Sequence, residues 1–127
     1  MKYRNISWEE LDQYIEMLAS NIREKVPSSV KGIFGLPRGG LVPAVMLSHK
    51  LNVPLLLAPC EGCVVVDDIA DTGTSLLHYK EKGYKIAVLW YKPKSKIKPD
   101  FCAVKDSRGK MGGRWVVFPW ETPVSTL

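Results

Sequence analysis

Val64 to Ser75, VVVDDIADTGTS, restricts this chain more than any other stretch. The apolar run Cys63–Val66 contains no turn residue and stops at two adjacent carboxylates, Asp67 and Asp68. A small polar loop follows, and Leu76, Leu77 and Tyr79 then resume an apolar pattern at helical spacing. That order predicts a buried parallel strand, a short loop at its carboxyl end and the start of a helix. Open α/β sheets keep their ligand sites in such loops. Asp71, Thr72, Gly73, Thr74 and Ser75 offer consecutive backbone N–H groups, hydroxyls and a glycine that admits a ligand close to the backbone, all at a helix amino end. This combination suits a phosphate. Asp67 and Asp68 would repel a phosphate, so they suit sugar hydroxyls or a divalent cation instead. A phosphate beside a diol beside a metal describes a phosphorylated ribose.

At 127 residues the chain is expected to be one domain, 1–127, with a core that needs no staples. Its apolar stretches fall short of a bilayer span and MKYRNISWEE lacks a signal-peptide core, so a soluble, cytoplasmic protein is expected. Eighteen Lys and Arg against 13 Asp and Glu leave a net charge of +5, which suits anionic small molecules as well as nucleic acid. No module of interleaved basic and aromatic residues is present, so neither nucleic acid nor membrane is expected as a partner. Three cysteines argue against a disulfide framework. Cys60 and Cys63 form a CxxC pair without the second pair or the histidine spacing of a zinc site, and buried cysteines flanking a strand are the expectation.

Taken in order, Ser7 and Glu10 have the form of a capping box. Trp8, Leu11, Ile15, Leu18 and Ile22 predict an amphipathic helix ending near Pro27. Val30–Leu36 reads as a strand and Leu41–Leu51 as a helix, with Pro37, Arg38, Gly39 and Gly40 between them. A cation and free N–H groups at that helix start suit a second anion, although Gly and Pro are also ordinary turn residues. His49 and Lys50 read as helix-end charges. Val53–Ala58 is expected to be a strand, and only Pro59 to Gly62 separate it from the one at Cys63. Thr74–Lys82 reads as a helix closed by Gly83, Lys85–Tyr91 as a buried strand and Phe101–Val104 as a short one. Lys94, Lys96 and Lys98 read as a solvated loop or an oligomer surface, and Ser107–Gly113 as a basic loop.

VVVDDIADTGTS resembles the phosphoribosyl-pyrophosphate (PRPP) motif of the type I phosphoribosyltransferases: apolar residues, two acids, two further residues and a Thr/Gly/Ser-rich phosphate loop. The likeness extends over about residues 33–121 and is nearest to the xanthine-guanine and hypoxanthine, or 6-oxopurine, members. It implies an α/β fold with a mostly parallel central sheet flanked by helices, and a small hood at about residues 100–127. It also implies transfer of 5-phosphoribose from PRPP to a 6-oxopurine with release of pyrophosphate, dependent on Mg2+, in a dimer or tetramer.

The roles that the resemblance carries over are specific. Asp67 and Asp68 would hold the ribose diol and the metal shell. Asp71 would be the general base, and with Thr72, Gly73, Thr74 and Ser75 it would form the 5-phosphate loop. Arg38 and Gly39 would bind pyrophosphate, and the peptide bond from Pro37 to Arg38 would be cis. Lys92 would read the purine O6, Trp115 would stack on the base and Val116 would read its edge through the backbone. Pro119, Trp120 and Glu121 match the family's ending. Two departures stand out: the long loop that usually closes over the site is missing between residues 58 and 63, and Val117 occupies a place that is often acidic. A PRPP- or nucleotide-binding regulator on the same fold is therefore the rival reading. A P-loop or dinucleotide module is excluded by the absence of GxxxxGK[ST] and GxGxxG.

Overall fold

The computed structural model describes residues 3–26, 30–107 and 115–121. Ser7 starts helix α1, Trp8–Lys25, through the expected capping box: its hydroxyl accepts from Glu10 N–H and the Glu10 side chain accepts from Ser7 N–H. Leu11, Ile15, Leu18 and Ile22 are fully buried on one face of it. Pro27, where this helix was expected to end, lies outside the described residues.

Four parallel strands make the central sheet: β2 (Gly32–Gly35), β3 (Cys63–Ala70), β4 (Lys85–Tyr91) and β5 (Phe101–Lys105), adjacent in that order. Alternation along β3 sends Val64 and Val66 into the layer packed by α1 and by α2 (Leu41–Leu51). Val65 goes into the opposite layer, which Leu76 of α3 (Thr74–Glu81) helps to fill. Helices therefore cover both faces, as an all-parallel sheet requires. Among the described residues no helix is long and apolar enough to cross a membrane.

Four sequence expectations need correction. The run 53–58 is not a strand: only Leu55 bridges Ile33, flanked by Ile33 N–H to Pro54 O and Leu56 N–H to Ile33 O. Beyond it the chain bends away, and Leu57 is 98% exposed. Strand β3 does not stop at the carboxylates but continues to Ala70, because Asp67, Ile69 and Ala70 remain paired with β4. Phe101–Lys105, assigned to the hood, is instead the edge of the main sheet, paired with Ala87–Tyr91. The smaller sheet joins β6 (Trp115–Val117) to an unexpected strand, β1 (Tyr3–Asn5), in parallel register Tyr3 to Trp115. Cys60 is exposed rather than buried, whereas Cys63 is buried and Cys102 lies partly so.

Candidate active site

Three neighbouring strands, β2, β3 and β4, end on the same rim of the sheet, and each hands over to a loop that carries expected site residues. The loop after β2 folds tightly across the strand beside it. Leu36 N–H donates to Val66 O at 2.9 Å and Gly40 N–H to Leu36 O at 2.8 Å, and the Pro37–Arg38 peptide is cis. A Cβ on Gly40 would overlap the Val66 carbonyl, and one on Gly39 would overlap the Asp68 carboxylate. Glycine at these two positions is what lets the loop lie against the paired acids. Arg38 projects from it and is exposed. Gly40 then starts α2 without any side-chain cap.

Asp67 and Asp68 stand on β3 beyond the last β2 pair, Gly35 with Val66, so that side of the strand meets the Leu36–Gly40 loop rather than a paired strand. Asp68 N–H donates to Asp67 Oδ1 at 2.9 Å, and Ile69 N–H to Asp68 Oδ1 at 2.8 Å. Burial, reinforced by the charge of Asp68, pushes the Asp67 carboxyl up to about 8. Two adjacent, half-buried acids with no cationic partner among the described residues are electrostatically incomplete. A divalent ion or the hydroxyls of a diol would relieve the repulsion. Among the described residues no cluster of three or more His, Cys, Asp or Glu could cage a metal alone. A carboxylate pair that leaves the remaining positions to water and substrate oxygens fits magnesium's habit.

The loop expected to bind phosphate lies between β3 and α3. Gly73, at φ 79, takes the left-handed conformation and leads into α3 with no side-chain cap. Among the described residues the N–H groups of Thr72, Gly73 and Ser75 have no acceptor, and that of Thr74 makes only a 3.4 Å contact with Thr72 Oγ1. Thr72, Thr74 and Ser75 are exposed, and the two threonine hydroxyls lie 3.3 Å apart. Donors and hydroxyls thus face outward around a helix start, where a phosphate would satisfy them.

Asp71 meets the base-reading candidates. Its Oδ1, itself buried, lies 3.9 Å from Lys92 Nζ and 3.2 Å from Lys94 Nζ, ionic contacts without a well-directed hydrogen bond. The Lys92 ammonium also sits 5.6 Å above the centre of the Trp115 ring. Trp115 is half exposed, so one face stays open to a ligand. Val116 is buried, which leaves its backbone as the part able to meet one. Glu121 closes the turn after β6, its Oε1 accepting from Phe118 N–H at 2.8 Å, and Trp120 stacks on Phe118. The family-like ending is thereby a device that holds β6 in place. Arg114 and residues 108–113 of the basic loop lie outside the described residues.

Sequence reasoning overlooked the segment after Lys92. Its Lys96 N–H donates to Thr72 O at 2.8 Å, and a Cβ on Gly73 would overlap Ser95 Oγ. Lys94, Lys96 and Lys98 are exposed, as a solvated loop or an oligomer surface would have them, but the backbone of their run braces the loop after β3. The only hint available was the Pro93 that redirects the chain directly after β4.

Comparison with known proteins agrees with this geometry. The phosphoribosyl transferase domain family matches residues 59–126. The purine phosphoribosyltransferase from Pyrococcus horikoshii superposes with a TM-score of 0.78 at 33% identity, covering 98% of both chains. The xanthine-guanine phosphoribosyltransferase of Nitratidesulfovibrio vulgaris is 27% identical, covering 97% of this chain and 89% of its own. That of Idiomarina loihiensis is 29% identical, over 91% and 85%. This chain belongs to the phosphoribosyl transferase domain family, a class of glycosyl-transferring enzymes. Alignment with the Nitratidesulfovibrio protein spans 151 positions, more than the 127 residues here, so the relative carries chain that this one lacks.

Proposed function

We propose that the protein transfers 5-phosphoribose from PRPP to a 6-oxopurine, guanine, xanthine or hypoxanthine, as a purine-salvage enzyme of the cytoplasm. The observation that carries the base assignment is the Lys92 ammonium, within reach of both Asp71 and the open face of Trp115 beside a phosphate loop. A ring carrying a carbonyl and a nearby N–H fits between a cation, a carboxylate and an aromatic face.

In this reading the amides and hydroxyls of residues 72–75 grip the 5-phosphate, Asp67 and Asp68 accept from the ribose diol, and Arg38 with the Gly39 backbone holds pyrophosphate. Purine N9 attacks the ribose C1, the bond from C1 to the pyrophosphate oxygen breaks with its electron pair leaving on oxygen, and the N7 proton passes to Asp71. Lys92 donates to O6 while Trp115 stacks on the ring and the Val116 backbone reads its edge. Asp67 and Asp68 are the residues that would hold magnesium, which when bound supplies positive charge to the departing pyrophosphate. Exposed Leu41, Val45, Leu55 and Leu57 beside the β2 edge support a homo-oligomer, dimer or tetramer.

The test is pyrophosphate release from PRPP and Mg2+ with hypoxanthine, guanine, xanthine and adenine in turn. Turnover on at least one 6-oxopurine and little on adenine supports the proposal. The short turn Pro59–Gly62, in place of a closing loop, favours one second reading, a PRPP- or nucleotide-binding regulator. PRPP binding by calorimetry without turnover on any base would establish that reading instead.

A further inference from the structure

We infer that Lys94 is a positioning residue that keeps the Asp71 carboxylate aimed at its partner while Lys92 is engaged with the base. The inference rests on the reading that Asp71 takes the purine proton. Two ammonium groups flank one buried oxygen, Asp71 Oδ1, and Lys94, at 3.2 Å, is the nearer of them. A purine carbonyl would draw the Lys92 ammonium towards itself and weaken its hold on Asp71. Lys94 has no such competing duty, so the charge it gives Asp71 persists in the ternary complex.

The backbone beneath Lys94 is built for a fixed position. Ser95 N–H donates to Lys92 O at 2.9 Å and Lys96 N–H to Thr72 O at 2.8 Å. Ile97 is buried, its N–H lies 3.3 Å from Ser95 Oγ, and Ser95 packs where a side chain on Gly73 would otherwise lie. Residues on both sides of Lys94 are thus tied either to β4 or to the phosphate loop, and the lysine spans from one to the other. The Lys94 side chain is itself 57% exposed, so the bracing fixes the point from which it reaches Asp71.

Turnover of the full chain with PRPP, Mg2+ and its preferred 6-oxopurine tests the idea through Lys94→Met, Lys94→Gln and Lys94→Arg, each also placed in an Asp71→Asn background. The uncharged variants should lose about three- to tenfold in kcat, the scale of a partly exposed ion pair, with KM for PRPP within about twofold of wild type. Lys94→Arg should recover most of the loss. In the Asp71→Asn background the uncharged variants should cost nothing further, because the group through which Lys94 acts is gone. Wild-type kcat in both uncharged variants overturns the inference, as does a loss of equal size with or without Asp71. Should one uncharged variant fail to fold, the other and the arginine variant still decide it. Full turnover by Asp71→Asn alone would instead refute the role given to Asp71, a result distinct from either.

Discussion

Asp71 is the residue on which the proposed chemistry turns, and its contacts make a sharp expectation possible. Replacing it with Asn leaves the shape of the loop and the neighbouring lysines but removes the proton acceptor. Turnover should fall by about two to four orders of magnitude while PRPP affinity, read by calorimetry, stays nearly intact. Equal loss of both would assign Asp71 a structural role. Asp67 gives a prediction of a different kind. Its carboxyl, raised to about 8, keeps its proton in the folded protein at pH values where the unfolded chain has lost it. Stability without substrate or metal should therefore decline as pH rises from about 4 to about 8, and the contribution of this group should hold steady above that. Asp67→Asn should flatten that part of the profile in denaturant titrations run with chelator, and an unchanged slope would contradict the burial described here. At Trp115, truncation to Ala removes the stacking face together with the ring over which the Lys92 ammonium sits. KM for the base should rise by the equivalent of about 1–3 kcal/mol with KM for PRPP unmoved, as steady-state kinetics would show.

The elements explain why so much of the site could be read from residue order and why some of it could not. VVVDDIADTGTS is contiguous, so the strand, the acids and the phosphate loop are fixed by local chain geometry. The Leu36–Gly40 loop likewise follows its own strand directly. Where pairing is between distant segments, local pattern is silent: β1 is three residues whose sheet partner among the described residues is Trp115–Val117. The run 53–58 misled because an apolar sequence resembles a strand whether or not a neighbour exists to hold it. Here Ile33 supplies a single bridge before the chain departs. Acids also look like strand stops, yet β4 continues to pair with β3 past them. Closeness of the first two loops yields an element-level prediction. A methyl group on Gly39 would collide with Asp68, so Gly39→Ala should weaken PRPP binding roughly tenfold by displacing either the loop or the acid. Unchanged affinity by calorimetry would show that the loop and the acid pair act independently.

On the scale of the molecule, three of the four parallel strands, β2, β3 and β4, bring the pyrophosphate, ribose phosphate and base candidates to one rim in the same order as those strands lie in the sheet. The small β1–β6 sheet then places Trp115 beside Lys92. Arg4 of β1 pairs with Glu10 of α1, so the piece that presents the aromatic face is anchored to the first helix. In the proposed oligomer, the exposed apolar residues Leu55 and Leu57 mark the side on which a second copy would cover apolar surface. A crystal structure with a purine nucleoside 5′-monophosphate bound is the most direct measurement. The account predicts the phosphate within hydrogen-bond distance of the amides of residues 72–75, the ribose hydroxyls on Asp67 and Asp68, and the base between Lys92 and Trp115. A nucleotide seated elsewhere, with those amides and both acids untouched, would contradict it.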